Sequence, residues 1–301
     1  MRNAFVDELI NLATLNDKIA LIVGDLGFSV IEPFAERFPD RFINAGVAEQ
    51  NMIGLAAGMA SEGYHVFVYS IANFPTFRCA EQIRNDVDYH KLPVTVVTVG
   101  GGLSYGNMGY SHHAVQDYGL MRLLPNILIA SPGDPMEVRA CLRYLTMNPQ
   151  PSYLRLGRAG EPCLHKDVPE IAPGKWLLVH SGDGSKRSLL TTGATLAQAQ
   201  QWLTVASYVG YALHSMPLWG MSAKSLQAPQ IASWESIVTI EDHLVDGGFG
   251  SWIRESLESS PHLMRRISVR ALDSKVCGMV GGQETLFQEC IILPFDEQRP
   301  K

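Results

Sequence analysis

Cysteine, basic residues and long apolar runs are all scarce in this 301-residue sequence. Its five cysteines (Cys79, Cys141, Cys163, Cys277 and Cys290) are odd in number, scattered, and never arranged as CxxC. That pattern argues against a disulfide framework or a zinc site and fits reduced thiols, so a cytoplasmic location is expected. Lys and Arg number 24 against 30 Asp and Glu, a formal net charge of −6 with no long basic run. Nucleic acid and anionic membrane surfaces are therefore not expected as partners. No apolar stretch reaches the length of a membrane span. The first residues, MRNAFVDELINLA, include Asp7 and Glu8 and read as an amphipathic helix, not a signal peptide. No GxGxxG opens a helix after a strand, which excludes a Rossmann dinucleotide site. No tandem repeat of short period occurs. What remains, 46% hydrophobic and 18% charged, is a soluble globular composition long enough for two cores.

Short apolar segments alternate with helical ones. Helices are predicted at 2–15, 29–38, 77–89 and 135–147, and strands at 19–23, 42–43, 64–69, 92–99, 127–130 and 153–156. This alternation predicts a parallel sheet covered on both faces. From about 160 to 187 the pattern dissolves into Pro, Gly and charge. A second pattern then follows, with strands at 188–192, 211–216 and 237–240 and helices at 194–207 and from 250. The fold class is α/β with two doubly wound domains, 1–165 and 187–301, joined by a linker at 166–186.

Residues 41–63, RFINAGVAEQNMIGLAAGMASEG, form the stretch around which the rest is organised. A short strand turns at Ala45-Gly46 into a helix of small and apolar residues, which predicts burial on every side. Gly54 and Gly58, four apart, suggest that another backbone packs closely on that face. Glu49 stands in the first turn of this helix, where a buried carboxylate needs a partner. Backbone donors and the helix dipole are one such partner; a ligand is another. A glycine triplet at 100–102 follows the LPVTVVTV strand and leads into LSYGNMGYSHHAVQD. Ligands of open parallel sheets bind beyond strand carboxyl ends, so His112 and His113 on this loop are candidate acid–base groups as well as ordinary loop histidines. Tyr69, Phe74 and Phe77 after a strand suit either core packing or stacking on a flat heterocycle. Gly182-Asp183-Gly184 looks like the start of a magnesium-diphosphate motif of thiamine diphosphate enzymes. That motif needs an asparagine about thirty residues later, and none occurs after Asn148. The segment is read as a turn.

Several segments in order, GVAEQNMIGLAAGMASEGY, VFVYS, KLPVTVV, GYSHHAVQD, PNILIASPGDPMEVRA and YLRLGR, resemble the pyrimidine-binding domain of transketolases. TTGA at 191–194, SMPLW at 215–219 and TIEDHLVDGGFGSW at 239–252 are similar to the transketolase carboxyl-terminal domain. The resemblance implies a thiamine-diphosphate-dependent enzyme transferring a two-carbon ketol unit from a ketose, phosphorylated in the family, to an aldose. Glu49 in GVAEQ matches the carboxylate that bonds a pyrimidine ring nitrogen and drives the imino tautomer of the cofactor. Tyr69 and Phe74 match the aromatic shelf, Asp25 a segment near the cofactor, and His112 the histidine beside the ketose. Arg2, Ser29 and Arg158 match positions that hold sugar phosphate, for which the arginine fork is suited. Two positions depart from the family: Gly100 replaces a phosphate-contacting histidine, and Met108 replaces an aspartate that reads a substrate hydroxyl. The family's Pro-Thr before the histidine is Tyr110-Ser111 here.

The amino-terminal half of the family, which holds diphosphate and magnesium (or calcium), has no counterpart in the sequence. The resemblance therefore implies a separate amino-terminal transketolase subunit as partner, in a two-plus-two heterotetramer. The beta subunit of a 2-oxoacid dehydrogenase and a deoxyxylulose-phosphate-type synthase share the two-domain layout, and a non-catalytic scaffold is a third reading. Glu241, Asp242 and His243 suit either a solvated strand end or the site mouth.

Overall fold

The computed structural model describes residues 1–291; the end of the expected second domain, 292–301, lies outside the described residues. The first sheet has strands β1 (Ile19–Val23), β2 (Phe42–Asn44), β3 (His65–Ile71), β4 (Val94–Val99), β5 (Leu128–Ala130) and β6 (Ser152–Leu156). The second has β7 (Leu177–His180), β8 (Arg187–Thr191), β9 (Ala212–Ser215), β11 (Ser236–Leu244) and β12 (Ile267–Leu272). β10 (Leu218–Trp219) leaves the second unit and pairs antiparallel with β5, giving a first sheet ordered β10-β5-β6-β4-β3-β1-β2. The second sheet is ordered β12-β11-β8-β9-β7, with only β7 antiparallel to its neighbour. The α/β expectation holds in both halves, with helices α1 (Arg2–Leu15), α2 (Glu49–Ser61), α3 (Pro135–Met147), α4 (Thr195–Trp202), α5 (Phe249–Glu255) and α6 (Gln283–Cys290) among the covering elements. Among the described residues no helix is long and apolar enough to cross a membrane.

β-branched residues dominate β3 and β4, and both strands are buried on both faces, as parallel central strands must be. Val66 and Val68 face α2, together with Ile22, Met52 and Ile53. Phe67 and Tyr69 face the other layer, with α1, α3, Phe5 and Leu142. Since β1, β2, β3, β4 and β6 run parallel, their carboxyl ends share one edge. The site is built there.

Four expectations need correction. β7 arises inside the stretch expected as a linker, because its backbone pairs with β9 as an edge strand. Helix α2 is not buried all round: Gln50, Asn51, Gly54, Leu55 and Gly58 are exposed, so only one stripe faces the sheet. A Cβ added at Gly54 or Gly58 would meet nothing within 4 Å, so among the described residues no backbone packs closely there. The predicted helix 77–89 is broken into short turns, Asn73–Phe77 and Ala80–Gln82, followed by a π-helical turn Ile83–Asp88.

A buried acid cluster joins the halves. Asp134 caps α3 by accepting from Glu137 N (2.8 Å), and Glu137 Oε2 accepts from Gly133 N (2.6 Å) and Ser215 Oγ (3.0 Å). Full burial pushes the Glu137 carboxyl from 4.5 up to about 7. The folded state therefore binds a proton that the unfolded chain releases near 4.5. This stabilisation is complete below that value and is lost as pH rises through about 7. A shift of this size corresponds to about 3 kcal/mol. Thermal melts from pH 5 to pH 8 should show a falling Tm, and Glu137→Gln should flatten the fall. Parallel profiles for the two proteins would refute the assignment.

Candidate active site

The loop from β1 to the next helix, the β2–α2 turn, the segment after β3, the 100–113 loop and the end of β6 converge on the shared edge. The turn after β2 is made by Gly46 at φ +72°, with Gly46 N donating to Asn44 Oδ1 (2.9 Å). It delivers Glu49 to the amino end of α2 facing inward, 3% exposed. Glu49 Oε2 accepts from Arg78 Nη1 at 3.0 Å, whereas Oε1 is buried with no partner among the described residues. The backbone-donor reading therefore does not hold for this side chain. An open cleft of about 450 Å³ adjoins it, lined by Val47, Ala48, Gln50, Asn51 and Arg78. An unpartnered carboxylate oxygen beside an open cleft is costly unless a ligand supplies the donor.

Arg78 lies over the Phe74 ring, 4.1 Å from its centroid, and His112 meets that ring edge-on at 5.5 Å. His112 is half-buried and its Nδ1 is 2.9 Å from Ser111 Oγ. Burial first, then the neighbouring His113, lower its pKa below the usual histidine value, so the ring is neutral at pH 7 and free to donate or accept. Asn73 Nδ2 donates to the His113 carbonyl (2.8 Å), tying the β3 segment to the histidine loop. His113 is buried and donates from Nε2 to the Gly106 carbonyl (3.2 Å), a structural role.

Glu49, Phe74 and His112 are thus brought together. Tyr69 is not among them: Tyr69 and Ser70 alternate across β3, and the Tyr69 ring stacks on Phe5 (5.7 Å) on the α1 side. Burial raises its pKa well above the usual phenol value, with Arg2 opposing and Tyr105 adding to the rise. Arg2 is half-buried with Nε unpartnered among the described residues. Asp25 and Ser29 lie on the β1 loop in left-handed backbone (φ +54° and +64°), a strain that non-glycine residues carry mainly where geometry is imposed. Asp25 Oδ1 accepts from Asn44 Nδ2 (2.9 Å), while Ser29 N donates to Glu32 Oε1 (2.7 Å). Arg158 is exposed at the end of β6, donating weakly to the Ser104 carbonyl (3.5 Å). Arg78, Asn73 and Tyr105 escaped the sequence reading; a lone arginine one turn beyond Phe74 was the only visible signal.

Glu241, Asp242 and His243 are buried rather than solvated, and Asp242 also lines a pocket beside Arg158. Glu241 accepts from Phe249 N and Gly250 N at the start of α5, Asp242 pairs with Arg155, and His243 Nε2 accepts from Gly119 N.

Comparison with known proteins agrees with this architecture. Residues 1–160 match the family described as transketolase, pyrimidine binding domain. The chain is 31% identical over 272 residues to one of the subunits of the apulose-4-phosphate transketolase of Phocaeicola vulgatus, covering 89% of this chain and 86% of that protein. It is 32% identical over 266 residues to a putative transketolase C-terminal section of Methanocaldococcus jannaschii, covering 86% and 82%. A solved structure described as a split gene transketolase, inactive beta4 tetramer, superposes with a TM-score of 0.81 at 29% identity, covering 96% of this chain and 92% of that one. The chain belongs to the transketolase family and corresponds to its pyrimidine-binding domain and the domain that follows it.

Proposed function

We propose that this chain is the carboxyl-terminal subunit of a two-chain, thiamine-diphosphate-dependent transketolase acting in the cytoplasm. It transfers a two-carbon ketol unit from a phosphorylated ketose to an aldose. The observation that carries the reading is Glu49: a buried carboxylate with one oxygen held by Arg78 and the other unpartnered beside an open cleft. A pyrimidine ring nitrogen is the partner that such an oxygen fits. When bound, thiamine diphosphate supplies the nucleophile and electron sink for breaking and remaking a carbon–carbon bond.

The chain's own residues do the rest. Glu49 holds a proton at the pyrimidine nitrogen through Oε1, and Arg78 fixes its orientation through Oε2. Phe74, held between Arg78 and His112, provides the stacking face; Tyr69, on the far side of the sheet, does not. Neutral His112 hydrogen-bonds the sugar oxygens, while Arg2, Ser29 and Arg158 hold its phosphate.

Diphosphate and magnesium (or calcium) belong to the partner chain. Asp183 in Gly182-Asp183-Gly184 supports this, since its Oδ1 accepts from Ser185 N (2.9 Å) and closes a turn. The uncovered stripe of α2, with exposed Leu55 and the open positions Gly54 and Gly58, is where a second chain would close the cleft. The assembly is two copies of each chain. Co-expression with the partner should yield a complex that binds thiamine diphosphate and transfers ketol units; this chain alone should do neither. Carbon dioxide release from a 2-oxoacid instead would move the enzyme to the dehydrogenase class. A complex that fails to bind thiamine diphosphate by calorimetry would make it a scaffold.

A further inference from the structure

We propose that Tyr105 is the substrate-specificity determinant of this site, standing in the space that position 100 would otherwise fill and contacting the phosphate-bearing end of the sugar. The inference rests on the transketolase reading and goes beyond it. Gly100 has φ +81°, and a Cβ built on it would lie 2.1 Å from Tyr105 Cε2 and 2.2 Å from Cδ2. The glycine is therefore a cradle for the ring, and any side chain at 100 would evict it. The ring is half-buried, meets His112 edge-on at 6.3 Å, and has the Arg158 guanidinium 6.0 Å from its centroid.

Tyr105 thus stands beside His112 and Arg158, residues assigned separately to the sugar oxygens and the phosphate. A phenol there offers one donor and one acceptor to a sugar hydroxyl or phosphate oxygen and narrows the channel. The loop holding it is anchored from the second half: Gly281 N donates to the Gly106 carbonyl (3.3 Å), and Leu286 of α6 covers Gly106. Gly100 and Tyr105 act as one unit, so the histidine missing at 100 is a replacement rather than a loss.

The test uses the complex with its partner chain and compares wild type, Tyr105→Phe, Tyr105→Ala and Gly100→Ala. With ribose 5-phosphate as acceptor, Tyr105→Phe should raise KM about 10-fold, the scale of one lost hydrogen bond to a charged group, with kcat within twofold. With glycolaldehyde, too short to reach Tyr105, KM should not change. Gly100→Ala should reproduce Tyr105→Ala. Equal KM shifts for both acceptors, or kcat falling with both, would overturn the assignment. Calorimetric titration of ribose 5-phosphate into the same complexes tests Tyr105 without turnover. Equal affinity for wild type and Tyr105→Phe overturns it even where ketol transfer is seen, which leaves the transketolase reading intact. No ketol transfer by wild type on any donor and acceptor sinks that reading, while weaker binding by Tyr105→Phe would still uphold the phosphate contact.

Discussion

Glu49→Gln should lower ketol transfer by the assembled complex roughly 10³-fold, the range spanned by loss of a positioned acid–base group. Glutamine preserves the length of the side chain and an oxygen for Arg78, yet it cannot exchange a proton at Oε1. Thiamine diphosphate should still bind, because its diphosphate is held elsewhere. Thermal stability should change little. Arg78, the carboxylate's only ion-pair partner among the described residues, has a side chain 49% exposed and can rehydrate when the charge is removed. The combination of lost turnover, retained cofactor binding and an unmoved Tm separates a chemical role from a structural one. Activity within tenfold of wild type would remove Glu49 from the mechanism, and with it the main support for the transketolase reading.

The strand-turn-helix around Glu49 is legible because an acid inside a run of Met, Ile, Leu and Ala is conspicuous in any fold. Its surroundings are less so. The β3 strand is buried on both faces, so no alternation of polar and apolar residues marks which side a given ring takes, and Tyr69 lies in the layer opposite to the expected one. Helix α2 looks buried all round in sequence because its exposed stripe includes Gly54, Leu55 and Gly58, small or apolar residues that do not mark a solvent face. The β7 strand sits among Pro, Gly and charge and exposes alternate residues, so only its pairing with β9 identifies it. Tyr105 is invisible in sequence for a different reason: its partner, Gly100, is defined by a side chain it does not have.

The same limit applies to Arg155, which reads as one more residue of YLRLGR yet joins the two halves of the chain. It lies on β6 with its side chain 2% exposed. Nε donates to Asp117 Oδ2 (2.7 Å), Nη1 to Asp242 Oδ1 on β11 (2.6 Å), and Nη2 to the Ala114 carbonyl (2.7 Å). Tyr153 also donates to Asp117 Oδ2 (2.6 Å). Two buried carboxylates thus share one cation across the junction. Burial pushes the Asp242 carboxyl up, with Arg155 opposing, and Asp242 Oδ2 has no hydrogen-bond partner among the described residues. Arg155→Met removes the cation while leaving both acids in place, which should cost about 3–5 kcal/mol and lower Tm by roughly 10 °C. The loss should be larger at pH 8 than at pH 5, because without Arg155 the acids are tolerated in the interior only when protonated. Adding Asp117→Asn and Asp242→Asn to the same chain should recover part of the stability, since replacing a buried triad costs less than breaking it. Urea melts at both pH values decide the matter. A single variant as stable as wild type would show that the ion triad adds nothing net to a junction held by its other contacts, such as Ser215 to Glu137.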